Sequence, residues 1–297
     1  MDKYRGRFAP SPTGPLHFGS LVAAVGSYLE ARNRGGAWLV RMEDLDPPRM
    51  QPGAADRILR TLEAFGMGWD GEIMYQSRRG EAYRAALARL EAQGVVYACG
   101  CSRKEIADSG LGPDGALIYP GTCRNGLAPG KAPRAMRVRV GHESVEFEDA
   151  LQGTIRQDLG AEAGDFVLLR ADGLCAYQLA VVVDDAEQGI GDVVRGADLL
   201  DSTPRQIFLQ RRLGLPTPRY LHLPAAVNAA GEKLSKQTLA PAVDGRDPVP
   251  VLTQVMAFLG QAPPAQLHRE PLAAFWNWAL AQWNTELIPR QRSLPSP

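Results

Sequence analysis

The sequence lacks long apolar runs: nothing in its 297 residues approaches the roughly 18 consecutive apolar residues of a membrane-spanning helix. Its first seven residues lead directly into a strand-like run, without the apolar segment of a signal peptide. It also lacks net charge, because 33 basic residues balance 33 acidic ones. A nucleic-acid partner would therefore need a local basic face. These absences predict a globular cytoplasmic protein without membrane contact, with one large domain or two modest ones.

Cysteine is scarce, and its distribution is uneven. Cys99, Cys101 and Cys123 fall within 25 residues, whereas Cys175 stands alone. In a reducing compartment, clustered cysteines are more often metal ligands than disulfide partners. Three thiolates suit a structural, tetrahedral zinc ion, with His142 as one candidate for the missing fourth ligand. The alternative is three ordinary buried thiols.

The first fifty residues have the pattern strand, loop, helix, strand. An extended run at 5–9 is followed by three prolines within 10–15, which exclude a helix and favour a stiff loop. Apolar spacing predicts a helix over 20–33 and a buried strand over 37–42, ending at Glu43. Such a unit predicts a parallel sheet with a right-handed crossover. Because ligands bind at the carboxyl ends of parallel strands, the proline loop and Glu43 should lie at the binding edge.

The rest of the chain changes texture twice. Periodicity predicts helices over 54–66 and 80–93, and then a β-rich insertion rich in glycine and proline. Residues 177–183 form a run of sheet-like character that is followed by Asp184 and Asp185. A further helix is predicted to begin near Thr203. We predict an α/β domain in two halves, 1–94 and 173–240. They are separated by a zinc-bearing subdomain, 95–172, and followed by a helical stub, 241–297.

Two segments have the residue types that bind phosphate. Residues 7–20 place His17, Gly19 and Ser20 at a predicted helix N-terminus, where free N–H groups and the helix dipole favour an anion such as triphosphate. Residues 233–237 contain Lys233 and Lys236, which can neutralise the charge of a departing pyrophosphate. Alone, the histidine would be structural and the lysines solvated. Together they favour an enzyme that uses a nucleotide.

These segments resemble the HIGH and KMSKS signature motifs of class I aminoacyl-tRNA synthetases. Residues 7–14, 41–46, 195–198 and 203–206 are similar to the glutamate-specific branch of that family. The motifs occur in the expected order over residues 5–240, which makes the resemblance specific. Here the first motif ends in serine instead of histidine, which removes one phosphate donor. The second has leucine for methionine and glutamine for the final serine.

The resemblance implies a Rossmann-like catalytic domain that activates L-glutamate with ATP, with magnesium on the phosphates. His17, Lys233 and Lys236 would be catalytic, and ATP would contact His17, Gly19, Ser20 and Lys236. Two carboxylates and one ammonium require two cations and one anion, which the family supplies with Arg7, Arg195 and Glu43. Fork-shaped guanidinium groups suit carboxylates and disfavour the amide of glutamine. The remaining glutamate-site residues implied by the resemblance are Phe8, Ala9, Pro10, Ser11 and Tyr177.

The role of Arg195 has an alternative, and the resemblance names a fourth ligand for the metal. Arg195 could instead form an ion pair with Asp192 or Asp198. For the metal, the family pattern Cys-x-Cys…Tyr-x-x-x-Cys points to Tyr119 as the fourth zinc ligand beside Cys99, Cys101 and Cys123.

The length of chain after the second motif suggests the acceptor. About sixty residues follow Gln237, whereas full-length glutamate enzymes continue with a long anticodon-reading region. Truncated paralogues of the branch activate glutamate without tRNA and esterify it to queuosine in the anticodon of tRNA(Asp). We therefore expect this reaction and a monomer. The alternatives are a minimal glutamyl-tRNA synthetase that charges tRNA(Glu), and a non-catalytic zinc-bearing RNA-binding paralogue.

Overall fold

The computed structural model describes residues 3–234 and 240–297, which form eight α-helices and twelve strands. The helices are α1 Phe18–Asn33, α2 Ala54–Ala64, α3 Gly80–Ala92, α4 Leu159–Glu162, α5 Tyr177–Glu187, α6 Thr203–Leu213, α7 Pro248–Phe258 and α8 Leu272–Gln282. The strands are β1 Arg5–Phe8, β2 Ala37–Met42, β3 Met74–Tyr75, β4 Val96–Cys99, β5 Ala135–Val138, β6 Ser144–Asp149, β7 Gly153–Asp158, β8 Val167–Leu169, β9 Asp192–Gly196, β10 Arg219–Leu223, β11 Ala225–Val227 and β12 Ser293–Pro295. Short 3-10 helices lie at Pro47–Arg49, Gln76–Arg78, Lys104–Ile106, Ala197–Ser202, Ala265–Arg269 and Thr285–Leu287.

The main sheet is built from two parallel groups. β1, β2 and β3 pair in parallel, as do β9, β10 and β6, and β7 adds an antiparallel edge. The groups meet where the backbone N–H of Gly191 donates to the carbonyl of Arg5 at 3.1 Å. From β1 the chain passes to β2 on one side, whereas β9 lies on the other side. This is a topological switch point, where the carboxyl ends of strands leave a crevice. The predicted α/β parallel fold is confirmed.

Helices cover the sheet on two sides. Successive residues of one strand face opposite sides, so Val193 packs with the core of α3, α5 and α6, and Val194 with the core of α1, α7 and α8. The C-terminal helices α7 and α8 belong to the core that contains Val194. In this core the indole N–H of Trp276 donates to the carbonyl of Phe65 at 2.9 Å. None of the helices in the described ranges combines the length and apolar character needed to cross a bilayer.

The inserted segment contributes to two sheets. β4, β5 and β8 form a separate antiparallel sheet, and Cys99 ends β4. The hairpin of β6 and β7 instead extends the main sheet, with Asp149 opposite Tyr220 of β10. The division of the chain into four segments stays a prediction, and the hairpin brings part of the insertion beside the binding edge.

One element differs from the prediction. The helices predicted within 20–33, 54–66 and 80–93 and near Thr203 are present, but the strand predicted at 177–183 is wrong, because these residues begin α5. A continuous apolar run cannot distinguish a buried strand from a buried helix. α5 packs against α3 and α6. Asp184 is buried there and accepts hydrogen bonds from Gln76 (2.9 Å) and Tyr83 (2.7 Å).

Candidate active site

A cavity of about 920 Å³ opens at the carboxyl ends of β1 and β9. This volume suits a nucleotide together with a small acid. Lys236 lies outside the described residues. The other residues predicted to bind ATP or glutamate all line the cavity: Arg7, Phe8, Ala9, Pro10, Ser11, His17, Gly19, Ser20, Glu43, Tyr177, Arg195 and Lys233.

The proline loop after β1 is fixed to the end of β2. The backbone N–H of Glu43 donates to the carbonyl of Pro10 at 3.0 Å, and that of Gln51 donates to Pro12 at 3.1 Å. Because each proline fixes its own φ, the loop has few alternative conformations. The loop and Glu43 therefore form one wall of the cavity.

His17 caps the N-terminus of α1. Its Nδ1 accepts a hydrogen bond from the backbone N–H of Ser20 at 3.3 Å. In a neutral imidazole the proton then lies on Nε2, which can donate it to a phosphate oxygen. A Cβ atom at Gly19 would lie 3.3 Å from the imidazole, so a side chain there would crowd His17. The helix N-terminus adds unpaired N–H groups that favour an anion.

Arg7 is already paired within the protein. Its Nε and Nη2 donate to the two carboxylate oxygens of Asp185 at 3.0 and 3.3 Å. Arg41, fully buried behind it, donates to Asp185 at 2.7 Å and to Glu43 at 3.3 Å. Two cations thus balance two carboxylates. Burial acts to raise the pKa of Asp185, but Arg41 and Arg7 outweigh it and hold that pKa at about 2.

Glu43 and Tyr177 have different electrostatic characters. Burial raises the pKa of the Glu43 carboxyl, and Arg41 and Arg7 oppose this shift. A cation bound beside Glu43 would stabilise its anion, as the ammonium of an amino acid can do. Burial also raises the pKa of the Tyr177 phenol, so this side chain is a neutral hydrogen-bond donor in the cavity.

Arg195 differs from Arg7 because its partners are neutral. In β9, and 5% exposed, it donates from Nε to Nε2 of His222 at 3.0 Å. Its Nη2 donates to Thr203 at 2.8 Å and to Gln206 at 2.9 Å. Its Nη1 has no hydrogen-bond partner among the described residues. The guanidinium charge is therefore available to a ligand carboxylate.

The alternative prediction for Arg195, an ion pair with Asp192 or Asp198, is wrong. Asp192 binds Arg219 at 2.7 Å, and Asp198 binds Lys233. Arg195 has neither carboxylate as a salt-bridge partner among the described residues.

The lysine segment is fixed on both sides. Lys233 forms a backbone bridge with Val227, and its ammonium pairs with Asp198 at the cavity. After residues 235–239, Ala242 bridges His17, and the backbone N–H of Val243 donates to Leu16 at 3.0 Å. Both flanks of the predicted lysine loop therefore reach the phosphate-binding side of the cavity.

Three cysteines and a tyrosine converge in the inserted segment. The phenol oxygen of Tyr119 lies 3.4 Å from the Sγ atoms of Cys99 and Cys101, and the Sγ atoms of Cys101 and Cys123 are 3.6 Å apart. Tetrahedral zinc with Zn–S bonds of about 2.3 Å separates its sulfur ligands by about 3.8 Å. The geometry of this Cys3Tyr cluster (Cys99, Cys101, Tyr119, Cys123) therefore fits zinc. His142 is not in the group of potential metal ligands found among the described residues.

The surroundings of the cluster affect its ligands differently, because burial raises the pKa of the Cys101 thiol and that of the Tyr119 phenol. Burial acts to raise the pKa of the Cys99 thiol, but hydrogen bonds with Tyr119 and the backbone of Cys101, together with Arg137, hold it at about 7. The guanidinium of Arg137 lies over the Tyr119 ring, 3.9 Å from its centroid. The Arg137 cation favours the Cys99 thiolate, and the other ligands would lose their protons on binding a metal.

Comparison with known proteins agrees with this geometry. A model for the catalytic domain of class I tRNA synthetases (E and Q) matches residues 3–247. The chain belongs to this family.

Several relatives of this class I synthetase chain are similar over nearly their whole length. A glutamyl-Q tRNA(Asp) synthetase of Chromobacterium violaceum is 62% identical over 287 residues, 96% of this chain and 95% of that protein. The protein of the same name from Dechloromonas aromatica is 62% identical over 290 residues, 97% and 96% of the two chains. A crystal structure of a glutamate tRNA ligase from Elizabethkingia meningosepticum, in complex with its amino acid, has a TM-score of 0.82. It is 23% identical, and the match covers 100% of this chain and 67% of that one, so it shows the fold alone.

The class I site also contains residues that sequence reasoning missed. Arg41, Thr203 and Gln206 lie within the motifs, so their presence near the site could have been predicted. Asp185 follows the run 177–183, whose sheet-like pattern gives no sign of the contact between Asp185 and Arg7. Nothing in the sequence marks His222, because its partners come from three distant segments.

Proposed function

We propose that this chain activates L-glutamate with ATP in the absence of tRNA and then transfers the glutamyl group to queuosine in the anticodon of tRNA(Asp). One observation carries the activation step: a single cavity combines the phosphate-binding groups of α1 with the Nη1 donor of Arg195, unpaired among the described residues, and the carboxylate of Glu43, which suit a carboxylate and the ammonium of glutamate. The acceptor is supported by the relatives that are named glutamyl-Q tRNA(Asp) synthetases and are 62% identical to this chain.

The glutamate pocket is defined by its charges. Arg195 offers its uncompensated guanidinium to one carboxylate, and Glu43 offers an anion to the ammonium. Arg7 and Tyr177 line the same cavity, but Asp185 balances the charge of Arg7. We assign the side-chain carboxylate to Arg195, so that glutamine would place a neutral amide opposite the Nη1 donor, which is a weaker partner than a carboxylate.

In the first step, an oxygen of the glutamate α-carboxylate attacks the α-phosphorus of ATP. The bond to the β-phosphate oxygen breaks, and pyrophosphate leaves. The Nε2 proton of His17, together with Lys233 and Lys236, stabilises the charge on the phosphates, and magnesium bound with ATP would neutralise part of the same charge. Positioning and charge stabilisation supply the rate acceleration, because this in-line displacement requires no covalent enzyme intermediate.

In the second step, a hydroxyl of the queuosine cyclopentene-diol attacks the carbonyl carbon of the mixed anhydride. The proton of that hydroxyl is lost, the ester forms, and AMP leaves. The tRNA(Asp) anticodon region is the proposed partner. We propose that the chain acts as a cytoplasmic monomer.

We propose further that the Cys3Tyr cluster holds one structural zinc ion. Bound zinc would cross-link β4 to the loop that contains Tyr119 and Cys123. This would stiffen a segment whose hydrophobic cluster contains few side chains besides the ligands. The predicted segments 1–94, 95–172, 173–240 and 241–297 would then be a split catalytic domain, its zinc-bearing insertion and a helical stub.

The activation step is tested by exchange of labelled pyrophosphate into ATP without tRNA. We expect exchange that depends on glutamate, with glutamine and aspartate supporting far less. Exchange without amino acid selectivity would contradict the glutamate pocket. An absence of exchange, with no glutamate binding by calorimetry, would overturn the proposal.

A further inference from the structure

A buried histidine lies directly behind Arg195. His222 of β10 is 0% exposed, and it touches Arg195 through one ring nitrogen and Asp149 through the other. The distance from His222 Nδ1 to Asp149 Oδ2 is 2.6 Å, and that from Arg195 Nε to His222 Nε2 is 3.0 Å. The three side chains form a continuous line from the hairpin of β6 and β7 to the cavity wall.

The contacts determine the protonation state of His222. Arg195 can only donate, so Nε2 of His222 must be an acceptor. The proton of the neutral ring then lies on Nδ1 and is donated to the Asp149 carboxylate. A second proton, on Nε2, would meet the Nε–H of Arg195. Burial and the charge of Arg195 lower the pKa of His222 to about 4, against the opposing effects of Asp149 and Asp198, which agrees with a neutral ring.

Asp149 is itself held rigidly. Its Oδ1 accepts from the backbone N–H groups of Leu151, Gln152 and His222 at 3.1, 2.9 and 3.2 Å. A carboxylate with three backbone donors has a fixed orientation and stays ionised. The pKa of Asp149 is lowered accordingly, because its bonds to His222 and the backbone outweigh burial. The tautomer of His222 is thereby determined by a group in the inserted segment.

The arrangement matters because Arg195 must keep its charge for a ligand. An acidic side chain at position 222 would pair with the guanidinium, as Asp185 pairs with Arg7. A neutral acceptor fixes Nε without balancing the charge, and Thr203 and Gln206 do the same for Nη2. Only Nη1 then lacks a hydrogen-bond partner among the described residues.

We infer that Asp149 and His222 form a positioning pair that aims Nη1 of Arg195 at a glutamate carboxylate and leaves its charge uncompensated. The pair thereby contributes to the preference for glutamate over glutamine. This inference rests on the proposed function. It assigns a specificity role to the inserted segment, although Asp149 and His222 do not line the cavity.

Three variants separate positioning from packing. His222→Gln can place an amide oxygen near the position of Nε2 and accept from Arg195. His222→Asn reaches only the position of Nδ1, so it keeps a donor for Asp149 and loses the acceptor for Arg195. Asp149→Asn is isosteric but favours the proton on Nε2, which opposes Arg195. His268→Asn, at an exposed histidine, is the matched control.

The measurements are KM for glutamate, KM for ATP and the glutamate-to-glutamine ratio of kcat/KM, all by pyrophosphate exchange, with melting temperatures recorded. His222→Asn and Asp149→Asn should raise KM for glutamate about 10- to 100-fold, the usual range for a lost hydrogen bond to a charged group. KM for ATP should stay within about twofold, and the glutamate-to-glutamine ratio should fall in both variants. His222→Gln should recover most of the affinity, and His268→Asn should equal wild type.

Two outcomes would overturn the inference. Equal losses in His222→Asn and His222→Gln would mean that the acceptor is irrelevant. Lower melting temperatures with an unchanged KM for glutamate would mean that the pair only supports the fold. Failure of the proposed function is a separate result, because wild-type protein would then neither bind glutamate nor support exchange, and the inference would fail with it.

Discussion

Asp185 links two buried arginines at the base of the glutamate pocket. Its carboxylate accepts from Arg7 and Arg41, and its side chain is 7% exposed. Removing one partner from a buried ionic network leaves the others without a counter-charge, which is far more costly than losing a surface pair. The carboxylate therefore stabilises the fold and sets the charge of the pocket.

Asp185→Asn should lower the free energy of unfolding by about 3 kcal/mol at pH 7, measured by urea denaturation. The effect should depend on pH in one direction. The folded pKa of about 2 lies below the value near 3.9 in unfolded chains, so this carboxylate stabilises above about pH 4. That contribution is lost as the pH falls toward 2. The gap between wild type and variant should narrow over this window, and a constant gap would contradict the charge network.

Arg195→Lys tests the uncompensated guanidinium. Lysine keeps the positive charge but cannot bind His222, Thr203 and a ligand in fixed directions at once. We expect KM for glutamate to rise about 10- to 100-fold, with KM for ATP little changed, in steady-state exchange. An unchanged KM for glutamate would show that the guanidinium of Arg195 does not bind glutamate.

At the scale of elements, the Cys3Tyr cluster joins β4 to the following loop. Purified wild-type protein should contain about one zinc ion per chain by atomic absorption. Cys101→Ser should lower the zinc content and the melting temperature, because a hydroxyl is a much weaker zinc ligand than a thiolate. Cys175→Ser is the matched control, since Cys175 is buried in the core of α3, α5 and α6 and should not affect the zinc content. An equal loss of zinc in Cys101→Ser and Cys175→Ser would contradict the assignment of Cys101 as a zinc ligand.

The second prediction at the scale of elements concerns the segment that begins at Lys233. Lys233→Ala removes a cation that pairs with Asp198 at the cavity. We expect kcat for exchange to fall about 100-fold or more, with KM for glutamate changed less than about threefold, because the lysine acts on the phosphates. Lys236→Ala should behave alike. A variant that lost glutamate affinity with unchanged turnover would place Lys233 in the amino acid pocket instead.

Elements were predictable where one local signal dominated. The prolines and glycines around β1 and α1 predict the strand, the loop and the helix of this segment. Thr203 and Pro204 predict the start of α6. α5 was not predictable in this way. Its run of valines favours a strand locally, but its burial beside α3 and α6 stabilises a helix. The chemistry of Arg7 and Arg195 was predictable from motifs, whereas their partners Asp185 and His222 required the tertiary structure.

At the scale of the whole molecule, the cavity is assembled from distant parts of the chain. β1 and α1 supply the phosphate side, β9 supplies Arg195, and the hairpin of β6 and β7 supports Arg195 through Asp149. The C-terminal helices pack on α1 through the core that contains Trp276 and Trp283. Pairing of β6 with β10 joins the insertion to this framework, and sequence patterns could not predict it because the two strands are far apart in the chain.

The most direct test of the central claim is transfer of radiolabelled glutamate to tRNA. Three acceptors are compared: queuosine-containing tRNA(Asp), the same tRNA with unmodified guanosine, and tRNA(Glu). We predict label only on queuosine-containing tRNA(Asp). We predict no label when that tRNA is treated with periodate before the reaction, because periodate destroys the vicinal diol. Label on tRNA(Glu) instead would contradict the proposed acceptor and keep the activation chemistry. No label, with no glutamate-dependent exchange, would contradict both the acceptor and the activation step.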